Sequence, residues 1–390
     1  MVGPFHLARL PLIYFGSGKM ELLPDLIKRY GDEIVLVTGR RSFIESPYSG
    51  KLISELKAKS VSLHHVAVSG EPSPKLIDET VNTLRDYPLT ATVAIGGGSV
   101  IDAGKALSAM LHKEDSVRMF LEEVGTRDHP GSKVPFIAVP TTSGTGSEAT
   151  KNAVISEVGT GGFKRSLRHD NLVPDIALVD PELTLNCPPD ITAAAGMDCF
   201  TQLTEAYLSV RSNEYTDALA MEGIKAVKRS VIRSFTHGDD LKARSDMSFA
   251  ALTSGICLAN AGLGAVHGIA GTMGGMFNIP HGVICGTLMA AANELNVKVL
   301  RYRSANPSAL VKYASLGKVF CDEEGKSDEW YIDAFLDKLK EMTVQLQLPG
   351  LGKYGLKAGD IPVICSAADI KNNPVRLTAD DLAEIIFSRL

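Results

Sequence analysis

The sequence has no closely spaced pair of cysteines. Its six, at 187, 199, 257, 285, 321 and 365, are scattered and form no Cys-x-x-Cys unit. A disulfide framework is therefore not expected, and reduced thiols in a cytoplasmic protein are. Positive charge is not in excess either. Forty Lys and Arg stand against 45 Asp and Glu, a net charge of −5. No basic surface is left to hold a phosphate backbone, which excludes nucleic acid as a partner. No run approaches the ~20 apolar residues that cross a bilayer, and Met1 to Leu12 lacks the apolar stretch of a signal peptide. A membrane partner is therefore not expected. The 36 glycines and 19 prolines follow no period, so a fibrous or low-complexity chain is excluded as well.

What is present is enough chain for two compact domains. The first half alternates short runs rich in Val, Ile and Ala, at 34–38, 63–68, 92–95, 136–139 and 176–179, with helical patterns at 20–30, 75–86 and 100–111. Buried strands separated by helices predict a parallel sheet covered on both faces, with ligands bound beyond the carboxyl ends of its strands. After Pro181 strand signals nearly vanish, and long helices rich in Ala, Leu and Met are predicted at 192–210, 216–235, 241–260 and 281–296. The reading is an α/β dinucleotide-binding, Rossmann-like domain over residues 1–185 and an all-α domain over 186–390. The break falls near Leu185-Asn186-Cys187-Pro188-Pro189-Asp190. The charged stretch Asp322–Asp328 reads as a solvated loop or helix start.

The sharpest local signal is Gly96-Gly97-Gly98-Ser99, which joins an apolar strand to an apolar helix. Glycines let backbone N–H groups approach a phosphate, and the helix N-terminus favours its charge. A plain strand-to-helix turn is the alternative. A second loop, Pro140-Thr141-Thr142-Ser143-Gly144-Thr145-Gly146-Ser147-Glu148, offers hydroxyls to phosphate or ribose oxygens, or helix caps. Phe15-Gly16-Ser17-Gly18 is a third glycine turn of this kind.

In the helical half, Asp198 and Gln202 are spaced i,i+4 and share one helix face, while His267 and His281 are each followed by glycine. One carboxylate, two imidazoles and an amide oxygen suit a divalent ion such as Fe²⁺ or Zn²⁺, with the amide the weakest ligand. The remaining histidines, at 6, 64, 65, 112, 129, 169 and 237, read as surface or loop residues.

Taken together and in order, Phe15-Gly-Ser-Gly-Lys19, Gly96-Gly-Gly-Ser-Val-Ile-Asp102, Pro140 to Glu148, Asp180-Pro-Glu-Leu183, Gly196-Met-Asp198 and Pro280-His-Gly282 resemble the iron-containing (group III) alcohol dehydrogenase family nearly end to end. That family is related more distantly to glycerol dehydrogenase and dehydroquinate synthase. The resemblance implies NAD(P)-dependent interconversion of an alcohol and an aldehyde or ketone, in a cleft between the two domains. It implies catalytic and metal-binding roles for Asp198, His267 and His281, with Gln202 at a fourth ligand position usually held by histidine. It places Gly96, Gly97, Gly98, Ser99, Asp102, Thr141, Thr142 and Thr145 on the cofactor, and Lys164 on its ribose. A second family histidine is replaced by Gly271, which leaves room for a larger or differently charged substrate. Maleylacetate reductases, also relatives, are considered to work without metal. A dimer or larger homo-oligomer is expected.

Two readings from other classes stand beside the oxidoreductase: a dehydroquinate synthase-like lyase, and a non-catalytic NAD(P)-binding sensor. The strand at 33–38 ends at Gly39-Arg40-Arg41-Ser42, where NAD-preferring members of the family commonly carry aspartate at the position of Gly39. With no carboxylate to repel a 2′-phosphate and Arg40 beside it, NADP(H) is predicted over NAD(H). The terminal Ser388-Arg389-Leu390 resembles a peroxisomal address and is read as chance at a helix end.

Overall fold

The computed structural model describes residues 2–159, 161–303, 306–370 and 372–390. The first half carries strands β1 (Leu12–Phe15), β2 (Glu33–Gly39), β3 (Ser62–Val68), β4 (Ala91–Gly96), β5 (Phe136–Pro140), β6 (Asn152–Glu157), β7 (Phe163–Arg168) and β8 (Ile176–Val179). Helices α1 (Leu23–Lys28), α2 (Pro47–Ala58), α3 (Pro74–Leu84) and α4 (Gly98–Met110) lie between them. Six strands form one sheet in the order β1-β8-β5-β4-β2-β3, every pairing parallel. Strands β6 and β7 make a separate antiparallel ribbon.

Strand β2 shows why the sheet is buried on both faces. Ile34 and Leu36 pack with Leu23, Leu26 and Leu56 of α1 and α2. The alternate residues Val35 and Val37 pack with Ile77, Val81 and Leu107 of α3 and α4. Side chains alternate across the pleat, so a sheet covered twice needs apolar residues at both phases. The five expected strands are found as β2, β3, β4, β5 and β8. Strand β1 and the β6–β7 ribbon were not expected from the sequence.

Strand order reverses between β2 and β4, since β2 leads outward to β3 and β4 leads the other way to β5. The loops after β2, β4 and β5 therefore open together at a topological switch point, the place where such sheets bind ligands.

No strand follows β8 among the described residues. Helices α5 (Pro189–Leu208), α6 (Glu214–Thr236), α7 (Leu241–Ala261), α8 (Ala265–Met276), α9 (His281–Arg303), α10 (Pro307–Phe320), α11 (Asp328–Gln345), α12 (Ile361–Ala367) and α13 (Ala379–Phe387) make the second half. Residues 322–327 form the expected charged loop before α11. Helix α5 is buried around most of its circumference and is the axis of this half. One helix, His281–Tyr302 within α9, is long and apolar enough to pass for a membrane span, contrary to the sequence reading, but 83% of it is buried in the fold. Of the histidines read as surface or loop residues, His129 lies in a loop but is buried, His65 is exposed and His64 is half-buried. His129 is 2% exposed, its Nε2 3.2 Å from the Ala109 carbonyl and its ring edge-on to Phe120. His64 and His65 lie inside β3, not in a loop.

Candidate active site

Helix α4 begins at Gly98 with Gly97 as its N-cap, and no side chain caps it. Its first N–H groups therefore face outward toward any anion that reaches them. The loop after β5 lies over this end. A Cβ on Gly98 would meet the Thr145 side chain at 2.8 Å, and one on Gly97 would meet Thr142 at 3.4 Å. The backbone is thus closed down on two hydroxyl-bearing side chains, which is the cradle a pyrophosphate needs. Thr141 is held by its N–H donating to the Gly96 carbonyl at 2.9 Å. The same loop rests on the helical half: Gly146, at φ +62°, lies against Gly255 so closely that a Cβ there would come within 2.6 Å of the Gly255 Cα. Ser143 and Ser248 hydroxyls meet at 3.1 Å.

Asp102 departs from its expected role. It is buried, with one oxygen accepting from the Ser147 hydroxyl and the other from the Val154 N–H at 3.1 Å. Its oxygens hold the β5 loop and β6 together and do not face the cofactor cradle. Beside it Lys105 is fully buried, donating to the Ser147 and Asn152 carbonyls at 2.8 Å, and burial pulls its pKa down to about 8. Gly39 ends β2 at the switch point, and Arg40 next to it is exposed and makes no ion pair among the described residues. Arg41 instead pairs with Glu45 at 3.0 Å.

In the helical half the metal candidates converge. Asp198 projects from α5, 1% exposed. His267 comes from the first turn of α8, which the chain reaches by a 98° bend after α7, through Gly262 at φ +71°. His281 opens α9. Asp198 Oδ1 lies 3.3 Å from His267 Nε2 and 3.8 Å from His281 Nε2. The glycine after each histidine has a packing reason. A Cβ on Gly268 would be 2.4 Å from the Asp369 carbonyl, and one on Gly282 would be 2.5 Å from that of Ala194.

Two further residues belong to this cluster. Cys285, one turn after His281, places its Sγ 3.6 Å from Nε2 of both histidines. Glu205, two turns after Asp198, puts Oε2 2.6 Å from His267 Nδ1 and accepts the Val266 N–H on Oε1 at 2.7 Å. Gln202 lies between Asp198 and Glu205 on α5, but its amide oxygen accepts the Ser254 hydroxyl at 2.9 Å. The expected weak ligand is thus engaged with α7. The sequence did carry a signal for the two missed residues, in the spacings 281/285 and 198/205 on helices.

The donor set fits a cation. Oxygen, two ring nitrogens and sulfur converge, all within 4.8 Å of one another. Without a cation they must share protons. Burial opposes charge on His267, but Cys285, Asp198 and Glu205 outweigh it and hold its pKa well above the ordinary value. Burial likewise opposes the Asp198 carboxylate, and His281 and His267 outweigh it to keep its pKa low. Burial, with Lys164 and His267 nearby, pulls His281 down to about 3 against the attraction of Asp198, and its Nδ1 has no hydrogen-bond partner. Burial pushes the Cys285 thiol up to about 12.

His267 lines a cleft whose wall also includes Lys164, Gly271 and Thr272. Lys164 reaches it from β7, 8% exposed and paired with Glu71 at 3.2 Å. A Cβ on Gly271 would meet nothing within 4 Å, so the side of the cleft at this position is open.

Known proteins are similar to this chain in sequence and fold. The family described as iron-containing alcohol dehydrogenase matches residues 11–181, and its C-terminal part matches 192–390. A long-chain-alcohol dehydrogenase of Geobacillus thermodenitrificans is 35% identical, over 70% of this chain and 68% of its own. An NADPH-dependent butanol dehydrogenase of Clostridium saccharobutylicum is 31% identical, over 88% of this chain and 85% of its own. The crystal structure of an archaeal halo-thermophilic alcohol dehydrogenase from a Red Sea brine pool superposes with a TM-score of 0.90 at 25% identity, covering 100% of this chain and 99% of that one. This chain belongs to the iron-containing alcohol dehydrogenase family, and it is an oxidoreductase that interconverts an alcohol and an aldehyde or ketone with a nicotinamide dinucleotide.

Proposed function

We propose that this alcohol dehydrogenase works with NADP(H) in preference to NAD(H), and that Asp198, His267 and His281 hold a divalent ion at its reaction centre. The observation that carries the reading is the convergence of those three side chains on one another, with His267 on the wall of a cleft. A bound divalent ion would supply a Lewis acid that polarises the substrate oxygen. The chain's own groups do the rest. Gly97, Gly98 and Ser99 offer backbone N–H groups to the pyrophosphate, and Thr142 and Thr145 close over it. Glu205 accepts a hydrogen bond from His267 Nδ1–H and so turns Nε2 toward Asp198. Lys164, on the same cleft, offers a cation to the cofactor ribose or to a substrate oxygen. Burial of Asp198 and Gln202 keeps water from the back of the site.

For the cofactor, Arg40 beside Gly39 supports a 2′-phosphate, as does the absence of a carboxylate from Gly39 to Ser42. A cytoplasmic location is supported by six cysteines that are all free. A dimer is supported by the family resemblance, and light scattering on the purified protein tests it. Arg389 donates to Thr287 Oγ1 at 2.7 Å and to the Leu348 carbonyl at 3.0 Å, which supports reading Ser388-Arg389-Leu390 as a packed helix end.

The test is NADPH and NADH oxidation against a panel of aldehydes and ketones, with and without added Fe²⁺ or Zn²⁺. Turnover with NADPH, raised by metal and lost with Asp198→Ala, is expected. Full activity in metal-free protein would overturn the metal assignment, and faster turnover with NADH would overturn the cofactor assignment.

A further inference from the structure

We propose that Cys285 is the fourth protein ligand of this centre, bound through its thiolate, and that the centre takes zinc in preference to iron. The inference rests on the reading that Asp198, His267 and His281 hold an ion.

The distances between donors carry it. An ion held tetrahedrally at usual bond lengths sets its oxygen and nitrogen ligands roughly 3.3 Å apart, and nitrogen and sulfur roughly 3.6 Å apart. Here Asp198 Oδ1 and His267 Nε2 are 3.3 Å apart, and Cys285 Sγ is 3.6 Å from each imidazole Nε2. The edge from Asp198 to His281 is longer, at 3.8 Å, and all four donors lie within 4.8 Å of one another. These spacings do not depend on loose side chains. His281 and Cys285 are i,i+4 on α9, so their relative position is set by the helix. Helix α9 is in turn set on α5, which carries Asp198. A Cβ on Gly282 would fall 2.5 Å from the Ala194 carbonyl, and one on Gly286 would fall 2.8 Å from Met197 Cβ. Backbone packing thus sets the helix that carries the sulfur directly against the helix that carries the carboxylate.

The rival fourth ligand is Gln202, and its oxygen is already taken by Ser254. Its neutral amide would also leave the ion with one anionic ligand. Asp198 and a Cys285 thiolate together neutralise a dication, the thiol proton leaving to solvent as the metal–sulfur bond forms. A thiolate is a soft donor that suits zinc, and at a fixed set of N, O and S donors zinc already binds more tightly than ferrous iron. Zinc can widen to five ligands, so four protein donors still leave it open to a substrate oxygen.

The full-length protein is stripped with chelator and loaded with Co²⁺, whose absorption reports its ligands. Visible bands of a four- or five-coordinate ion together with a near-ultraviolet sulfur-to-cobalt charge-transfer band are expected. Cys285→Ser is expected to keep the visible bands and lose the charge-transfer band. Its zinc affinity, measured by chelator competition, should fall by about tenfold or more. Cys199→Ser, which alters the buried thiol beside Asp198, should keep both bands. Wild-type protein equilibrated anaerobically with equal Zn²⁺ and Fe²⁺ should retain zinc by mass spectrometry. Visible bands without charge transfer in the wild type would overturn the Cys285 assignment while leaving the ion with Asp198 and the histidines. No bound ion at all would overturn both readings, and retained iron would overturn the preference for zinc. If Cys285→Ser does not fold, the wild-type spectrum and the Cys199→Ser control decide.

Discussion

Glu205 grips His267 on the side opposite Asp198, with Oε2 2.6 Å from Nδ1 while Asp198 Oδ1 stands 3.3 Å from Nε2. Both acids project from α5, two turns apart, so one helix fixes the ring's rotation and its tautomer. A carboxylate behind a ligating imidazole also raises its basicity. Glu205→Gln keeps the volume and removes the charge. We expect metal affinity to fall by ~10- to 100-fold in chelator competition, the range seen for such outer partners. A change below about twofold would show that the carboxylate does not orient the ring.

Gln202 makes the contrasting prediction. Its amide oxygen lies 2.9 Å from the Ser254 hydroxyl, which has the Ala251 carbonyl at 2.8 Å as an alternative acceptor. Gln202→Ala leaves a hole in a buried layer but no orphaned hydroxyl. Stability should drop by about 1–3 kcal/mol in denaturant unfolding. Metal per chain should be unchanged, and a loss of metal would return Gln202 to the ligand set.

The parts legible in the sequence are those where one physical cause dominates. Strands β2 and β4 read clearly because burial on both faces demands unbroken Val, Ile and Ala. Strand β1 is four residues long at the sheet edge, and β7, Phe163-Lys-Arg-Ser-Leu-Arg168, is half charged because its ribbon pairs Arg165 and Arg168 with Glu123 and Glu122. Neither carries a periodic apolar signal. At the site, Asp198, His267 and His281 stood out as polar residues beside glycines on apolar helices. Cys285 did not, because a cysteine within an apolar helix reads as a small hydrophobe. Asp102 misled for the opposite reason. It follows the glycine loop by one turn, and helical rotation points it inward to Ser147 and Val154 instead of outward to a phosphate.

Buried charge away from the centre gives a pH prediction. Glu148 is 3% exposed, and burial pushes its pKa from 4.5 up to about 7. As pH rises through that window the unfolded chain gives up a proton that the folded chain keeps. The native state therefore binds more protons, and stability declines until the folded carboxyl ionises too. Glu148→Gln removes this decline. We expect the variant to match wild type near about pH 4 and to exceed it by roughly 3 kcal/mol above about pH 7. Lys105, pulled by burial down to about 8, remains in both proteins and cancels from most of the difference. Parallel stability curves across this range would show that Glu148 is not held neutral.

The open wall at Gly271 predicts a size effect on substrates. A Cβ there meets nothing within 4 Å, so a side chain has room to start out into the cleft. Gly271→Leu should leave the melting temperature within about 1 °C, since no packed contact is lost. It should lower kcat/KM for branched or long-chain aldehydes by about tenfold or more, and for two-carbon aldehydes by about twofold or less. Equal losses for all substrates would place the substrate elsewhere in the cleft.

Cofactor choice turns on the end of β2. Thr38, the next-to-last residue of that strand, has its hydroxyl 2.8 Å from His65 Nε2, and Gly39 and Arg40 follow it before the chain turns. Gly39 has open space on its side-chain face, since a Cβ would meet only Ser42 Oγ at 3.7 Å and Val100 at 3.9 Å. An aspartate fits there without strain. Its carboxylate would accept the adenosine ribose hydroxyls of NAD(H) and repel the 2′-phosphate of NADP(H). Arg40 is exposed and unpaired among the described residues, so its guanidinium is available to that phosphate, while Arg41 is held by Glu45. Gly39→Asp with Arg40→Ala should therefore move the ratio of kcat/KM for NADPH over NADH toward NADH by about 100-fold or more, a sum of two effects each near 1–3 kcal/mol. Arg41→Ala alone should move it by about twofold or less, because that arginine points to Glu45 in the turn before α2 and such exposed pairs contribute little. A double variant whose ratio stays at the wild-type value would place the discriminating contact outside the β2 loop.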